Sequence, residues 1–81
     1  MMVWIVSYTS TDGDSYIQGV YRNWIDARDE IKKLWWDSVE EYGKDHNDTG
    51  FWVNENSKHV FARCTDGEYT EEWEIEGKVV K

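Results

Sequence analysis

The chain has 81 residues, with nine Lys or Arg against 17 Asp or Glu, and a formal net charge of −8 at pH 7. This balance argues against a direct nucleic-acid binder, which needs a basic surface to neutralise phosphates. The single cysteine, Cys64, excludes an internal disulfide and a multi-cysteine zinc site, and it suits a reducing compartment such as the cytoplasm. The apolar opening at residues 1–6 has no basic flank and is too short for a secretory signal or a membrane span.

The aromatic content indicates that the chain folds. Aromatic residues make up 16% of the sequence, and proline is absent. Acidic disordered chains lack such residues, because they cannot bury enough apolar surface to offset chain entropy. Each large ring can bury about 150–250 Å². We therefore expect residues 1–81 to form a single domain.

The first predicted unit is a β-hairpin. Residues 3–9 are rich in β-branched and aromatic side chains, which is typical of a strand. The Asp12-Gly13 pair predicts the turn, because glycine accepts a positive φ. Residues 15–21 are the predicted return strand, in which Gly19 is a candidate for a bulge.

A helix is predicted next, because the apolar spacing changes to that of one helical stripe. Asn23 is the candidate N-cap, since its side-chain oxygen can accept a free backbone N–H. Gly43 is expected to end the helix. The stripe consists of Ala27, Ile31, Leu34, Trp35, Ser38 and Tyr42.

The remainder of the chain predicts three more strands after a polar loop at residues 44–50. These strands cover residues 51–53, 59–64 and 68–76, with Asp66-Gly67 as a second hairpin turn. The order ββαβββ indicates an α+β fold in which one long helix packs on an antiparallel sheet. In the last strand, alternation places Tyr69, Trp73 and Ile75 on one face and Thr70, Glu72, Glu74 and Glu76 on the other.

One helix can cover only one face of such a sheet. The first strand is apolar on both faces, which is typical of strands buried on both sides. We therefore expect a second copy or a different protein to cover the free face. If the protein is a homodimer, Trp4, Val6 and Tyr8 are the candidate interface residues. The alternative is that Trp4 and Tyr8 are half-exposed, as single apolar side chains often are.

Two tryptophans are candidates for surface anchors. Successive helical residues lie about 100° apart, so Trp35 and Trp36 cannot both face the sheet. We assign Trp35 to the sheet-facing stripe and Trp36 to its edge or to solvent. The sequence does not decide whether Trp52 belongs to the core or to the surface. Tryptophan is enriched among binding hot spots, although in a small protein it is more often part of the core.

Acidic side chains form two groups in the sequence. Glu72, Glu74 and Glu76 recur along one strand face at intervals of about 6.8 Å, and Asp66 and Glu68 extend this row with no cation interleaved. The bland interpretation is a charged surface that keeps a small domain dissolved, or an edge strand protected from aggregation.

The second acidic group, Asp37, Glu40, Glu41 and Asp45, lies at the end of the predicted helix, and Lys33 and Lys44 offset part of its charge. Carboxylates at a helix C-terminus oppose the helix dipole, and Asp37 and Glu41 are like charges one turn apart. Residues that destabilise their own helix without a compensating local contact are candidates for a functional role.

Catalytic and metal sites are not predicted. Residues 45–50 follow the first half of a calcium-binding loop, but Asn56 stands where the bidentate Glu is needed. His59 and Cys64 lie five residues apart on one strand, so they face opposite sides and cannot act as a nucleophile–base pair. A chain this short has little material for a pocket that would raise the pKa of a carboxyl group. We expect no enzyme, no metal and no cofactor, and a calcium-binding or enzymatic domain remains a distant third alternative.

Several short motifs follow one another in a fixed order. They are the opening strand, the Asp-Gly turn, Gly19-Val20-Tyr21, Asp26-Ala27-Arg28, Thr49-Gly50-Phe51 and Glu72-Trp73-Glu74-Ile75. In this order the chain resembles a family of small uncharacterised proteins found in bacteria and tailed phages. The motifs mark a fold and carry no chemistry, so the resemblance transfers no functional residue. Small acidic phage proteins are often inhibitors of host machinery, including anti-CRISPR proteins and DNA mimics. The resemblance therefore implies a phage-encoded inhibitor that acts in the host cytoplasm.

Together these features predict a non-enzymatic protein-binding domain that blocks the basic nucleic-acid-binding surface of a host protein. Direct contact with nucleic acid or with a membrane is not expected. The alternative is a homodimeric structural or regulatory accessory protein that pairs through its open sheet face. The predicted partner-binding residues are Glu72, Glu74, Glu76, Asp66, Glu68, Asp37, Glu40, Glu41, Trp36 and Trp52.

Overall fold

A computed structural model describes residues 1–42 and 49–81. One helix packs on a five-stranded antiparallel sheet in the order ββαβββ, which confirms the predicted α+β architecture. Gly43, the predicted end of the helix, lies outside the described residues. The elements are β1 (Met2–Ser10), β2 (Ser15–Tyr21), α1 (Trp24–Tyr42), β3 (Gly50–Asn54), β4 (His59–Asp66) and β5 (Tyr69–Val79).

The strand order in the sheet is β2-β1-β5-β4-β3, so β5 is the central strand and β2 and β3 are the edges. β5 pairs with β1 from Met2↔Val79 to Ser10↔Glu71 and with β4 on its other side. The glutamate-bearing strand is therefore not an edge, and protection of an edge from aggregation cannot explain its charges.

Both predicted Asp-Gly turns are present. Gly13 has φ 95° and Gly67 has φ 61°, values at which a side chain would be strained. The register between β1 and β2 shifts between Val6 and Ser7, which leaves Gln18 as the extra residue of a bulge beside Gly19. The bulge at Gln18 therefore lies one residue before Gly19, where the sequence predicts it.

The predicted cap of α1 is confirmed. The Asn23 side-chain oxygen accepts the Asp26 backbone N–H at 2.9 Å, and the Asn23 amide donates to the Asp26 carboxylate at 2.8 Å. These two bonds fix the helix start and place a carboxylate at the positive end of the dipole.

The helix runs beside β4 in the same direction. Near its start, the Lys58 amine lies 4.8 Å from the centre of the Trp24 ring. Three turns further on, the Trp35 indole N–H donates to the Arg63 carbonyl oxygen at 2.9 Å. The last turn of α1 therefore reaches the end of the sheet where β4 ends, at Asp66.

The core lies between α1 and one face of the sheet. Ala27 and Ile31 of the predicted stripe are fully buried, and Leu34 and Trp35 pack against the core from its margin. Trp24, which the sequence pattern did not place in the stripe, is also buried. Burial of a large aliphatic side chain is worth about 1.5–3 kcal/mol. The core contribution of the sheet comes from Val6, Tyr8, Val60, Ala62, Cys64, Trp73 and Ile75.

The predicted dimer interface at Trp4, Val6 and Tyr8 is wrong, because α1 covers that face of β1. Val6 is 0% exposed and Tyr8 is 7% exposed. Trp4 packs against the same core, and its ring lies over Gly77, where an added Cβ would come within 2.6 Å. Val6 and Tyr8 are therefore closed to a second copy, whereas Trp4 is partly exposed. Val3 and Ile5, on the opposite parity, face the uncovered side.

Candidate functional site

The open face of the sheet, turned away from α1, carries the predicted row of glutamates. Glu72, Glu74 and Glu76 lie along the central strand, and cross-strand pairing sets Ser7 and Phe61 on either side of Glu74. In the part of the chain that the structure describes, no element packs over this face. The row is therefore accessible, but it has close neighbours on both adjacent strands.

Two of the three glutamates have side-chain partners on β4, one an arginine and the other a histidine. The Arg63 guanidinium donates to a Glu72 oxygen through Nη2 at 2.7 Å and through Nε at 2.9 Å. The His59 Nε2 lies 2.8 Å from a Glu74 oxygen. The expectation of a row without interleaved cations is therefore wrong. Within residues 1–42 and 49–81, only Glu76 of this row lacks an ion pair.

A second acidic surface forms where the two hairpin turns meet. Because Ser10 pairs with Glu71, the β1–β2 and β4–β5 turns lie side by side at one end of the sheet. The Thr11 N–H donates to the Thr70 carbonyl oxygen at 3.0 Å, and the Thr70 N–H donates to the Thr11 hydroxyl at 2.6 Å. These bonds hold the two turns together.

The C-terminal part of α1 reaches the same end, so three segments contribute carboxylates to it. We name this surface the acidic end. All seven of its acidic side chains are exposed. Neither turn contains Lys or Arg, and the last turn of α1 has no basic residue. Its members are Asp12, Asp14, Asp37, Glu40, Glu41, Asp66 and Glu68.

The acidic end joins residues that the sequence pattern assigned to separate groups. Asp66 and Glu68 were grouped with the strand row, yet they lie at the turn, near the helix end. Asp12 and Asp14 were not predicted as site residues at all. The only sequence signal for them was the Asp-Gly turn, and their proximity to the second turn requires the order of the strands.

The two candidate anchor tryptophans are both on the surface, as expected for Trp36. Trp36 is 52% exposed and Trp52 is 51% exposed. Trp36 leans on Trp35 at 5.9 Å between ring centres, next to the acidic end. Trp52 lies on the open face, where it stacks on Phe61 at 5.8 Å. Its ring covers Gly50, and an added Cβ there would come within 2.4 Å.

A buried carboxylate, Glu71, lies on the helix-covered side of β5 at the acidic end. It is 9% exposed, and one of its oxygens accepts a hydrogen bond from the Tyr8 hydroxyl. Its other oxygen has no hydrogen-bond partner among the described residues. Burial and the bond to Glu71 raise the pKa of Tyr8 above its ordinary value. The sequence offered a signal, because Glu71 shares the parity of Trp73 and Ile75.

Nucleophilic chemistry is not supported by the positions of Cys64 and His59. Cys64 is 2% exposed on the helix side, and burial raises the pKa of its thiol. His59 lies on the open face, so the predicted separation of the two side chains is confirmed. Ser57 and His59 line the same open groove, but the His59 ring contacts Glu74 and forms no hydrogen bond with the Ser57 hydroxyl. No nucleophile–base pair forms in the described residues.

Metal and membrane sites are likewise not found in the described part of the chain. It contains no group of three or more His, Cys, Asp or Glu side chains that could hold a metal ion. Asp45 and Asn47 of the calcium-like segment lie outside it. None of its helices combines the length and the apolar character needed to cross a membrane.

The chain matches no protein-family model, and comparisons with curated proteins and with solved structures found no match either. The resemblance to a family of small phage and bacterial proteins therefore stays a prediction.

Proposed function

We propose that this protein is a non-enzymatic, phage-encoded inhibitor that docks its acidic end on the basic nucleic-acid-binding surface of a host protein. The host protein would be a defence or nucleic-acid-handling protein, and the mode of action would be that of a DNA mimic or an anti-CRISPR protein. The observation that carries the proposal is a set of seven exposed carboxylates from three segments at one end of the sheet, with no Lys or Arg in either turn or in the last turn of α1.

The acidic end is costly for the fold itself. Carboxylates in the last turn of a helix oppose its dipole at about 0.3–1 kcal/mol each, and Glu40 and Glu41 are both there. No ion pair in the described chain offsets them. A partner with a basic surface would supply the missing cations and would also be steered toward this end.

Trp36 gives the acidic end an apolar anchor. The ring is half-exposed, precedes Asp37 in the chain and lies one turn before Glu40. Its neighbour Trp35 is held by a hydrogen bond to β4, so the base of Trp36 is rigid. A fixed aromatic residue among charged neighbours is a common arrangement at binding hot spots.

The open-face row contributes less to this proposal. Arg63 and His59 already engage Glu72 and Glu74, so a partner's cation would have to compete with them. Glu76 and the half-exposed Trp52 are the members of the predicted site on this face that remain available.

A homodimer that packs the two open faces together is disfavoured by the same row. Glu72, Glu74 and Glu76 occupy the centre of the face, so a second copy would set carboxylates against carboxylates. The alternative function therefore needs a different surface for self-association.

A capture experiment with DNA competition tests the proposal. The protein is immobilised and exposed to a bacterial lysate at about 50 mM salt, and bound proteins are eluted with duplex DNA or with salt near 200 mM. We expect retained nucleic-acid-binding proteins that duplex DNA displaces. The matched control is a variant carrying Glu40→Gln, Glu41→Gln, Asp66→Asn and Glu68→Gln, which should retain little. Capture that is insensitive to DNA, or equal capture by the variant, would contradict the proposal.

The inhibitory step is tested with a captured protein. In a binding assay with labelled duplex DNA, the parent protein should compete for the captured protein and the charge-neutralised variant should not. Simultaneous binding of DNA and the parent protein would show that the nucleic-acid surface is not the docking site.

A further inference from the structure

The unpaired edge of β2 is unusual for this chain. Charged residues make up 32% of the sequence, yet residues 15–21 contain none. Natural edge strands usually carry lysine, proline or other devices that prevent pairing with another strand. On this edge Tyr16, Ile17 and Val20 are 52%, 62% and 57% exposed. The edge therefore presents backbone groups and apolar side chains together.

Two opposite charges flank this strand directly. Asp14 precedes Ser15, and Arg22 follows Tyr21. Both side chains are exposed, and neither forms an ion pair within the described chain. When an antiparallel strand of the same sequence lies alongside, the residue before one strand comes close to the residue after the other.

We propose that a second copy of this chain pairs antiparallel with β2, edge to edge, so that two five-stranded sheets join into one. The occupant is a second copy because the flanking charges are complementary to themselves under a two-fold axis. Asp14 of each copy then lies near Arg22 of the other, at both ends of the new ladder.

The bulge determines which register suits this pairing. Ile17 and Val20 both lie on the open face, since they pair with Ser7 and Ile5. Tyr16 and Tyr21 both lie on the helix side, opposite Tyr8 and Trp4. A register that sets Ile17 against Val20 of the second copy also sets Tyr16 against Tyr21, so each pair shares a face. The bulge at Gln18 bends the strand and divides the new ladder into two short halves.

The overall charge distribution favours the same arrangement. The acidic end lies beside the start of β2, whereas Arg22, Lys58 and Lys78 lie at the opposite end of the sheet. Antiparallel pairing therefore places the acidic end of one copy beside the cationic residues of the other. It also keeps the two acidic ends apart from each other.

Sedimentation or light scattering over a range of concentrations tests this pairing. We expect the mass to rise from 9.7 kDa toward twice that value as concentration increases. Val20→Lys should weaken dimerisation about ten-fold or more, because a charge on the edge opposes strand pairing. The matched control is Val53→Lys on the β3 edge, which is also exposed and should leave dimerisation unchanged. Circular dichroism checks that both variants fold.

A charge swap tests the register. Arg22→Asp should weaken the dimer, and adding Asp14→Arg to it should restore dimerisation. A parent protein that stays monomeric at every concentration overturns the proposal, as does a dimer that Val53→Lys breaks and Val20→Lys leaves intact. Pairing that survives all β2 variants would assign the interface to another surface. None of these outcomes depends on a host partner.

Discussion

The acidic end and the open-face row carry the same kind of charge in different surroundings. On the row, β4 supplies Arg63 to Glu72 and His59 to Glu74, and cross-strand pairing makes both contacts close. At the acidic end, the described turns and the last helical turn supply no cation. Within the described residues, two of the three row glutamates have side-chain partners, whereas none of the carboxylates of the acidic end forms an ion pair.

This difference shows that charge density along a sequence does not identify a docking surface. The glutamates of the row are regularly spaced, so they form the clearer pattern in the sequence. The acidic end has no pattern in the sequence, because it is assembled from segments far apart in the chain. What distinguishes the two surfaces is the presence or absence of cations from neighbouring strands.

The largest expected effect is a difference in affinity for a captured partner between variants of the acidic end and variants of the row. Neutralising Glu40, Glu41, Asp66 and Glu68 removes four surface ion pairs of up to about 1 kcal/mol each, so we expect a loss of about 3 kcal/mol, roughly a hundred-fold in affinity. The triple variant Glu72→Gln, Glu74→Gln, Glu76→Gln should weaken binding only about two-fold, since Glu72 and Glu74 already have partners on β4. Isothermal titration calorimetry at low salt measures both. A larger loss in the row variant would move the docking surface to the open face.

The two equally exposed tryptophans give the next largest contrast. Trp36→Ala should cost about 2 kcal/mol of binding free energy, or roughly thirty-fold in affinity, because a hot-spot aromatic beside the acidic end is lost. Trp52→Ala should change affinity by less than about two-fold, since that ring lies on the other surface. Fluorescence titration of each variant with the captured partner measures the effect. The reverse order would contradict the assignment of the anchor.

The buried pair under the acidic end predicts an alkaline limit to stability. The pKa of Tyr8 is raised by burial and by Glu71, so the folded state keeps its proton when the unfolded chain loses it. This stability is present below the ordinary tyrosine pKa of about 10 and is lost as the pH rises above it. Tyr8→Phe should cost about 1–2 kcal/mol at neutral pH, because Glu71 loses the hydrogen bond that the Tyr8 hydroxyl donates to it.

Urea unfolding at about pH 8 and about pH 10.5 tests this effect. The free energy of unfolding should fall between these values in the parent and fall less in Tyr8→Phe. Tyr21, whose pKa is raised by burial and by Glu30, keeps part of the pH dependence in the variant. Equal slopes in the two proteins would contradict the role of Tyr8.

Much of the fold followed from the sequence. The Asp12-Gly13 and Asp66-Gly67 turns and the Asn23 cap are local signals, and each acts on a few neighbouring residues. The alternation in β4 and β5 also correctly separated the core face from the open face. These features need no knowledge of which strands are neighbours.

The charged surfaces could not be predicted from the sequence, because they depend on which strands are neighbours in the sheet. The ion pair between Arg63 and Glu72 requires β4 beside β5, and the acidic end requires β1 beside β5. The error over Val6 and Tyr8 has the same origin, since both faces of β1 are apolar and only the position of α1 decides which is core. The burial of Glu71 could have been predicted, because alternation along β5 places it on the same face as Trp73 and Ile75.

The central claim is that the described residues give the row partners at Glu72 and Glu74 and give the carboxylates of the acidic end none. It is tested most directly by urea unfolding, at low salt, of two double variants that each remove two charges. Glu40→Gln with Glu41→Gln should raise the free energy of unfolding by about 0.5–1 kcal/mol, because repulsion and the dipole penalty are relieved. Glu72→Gln with Glu74→Gln should lower it by about 0.5–1 kcal/mol, because the Arg63–Glu72 ion pair and the His59–Glu74 contact are weakened. A shift of the same sign in both variants would contradict the claim.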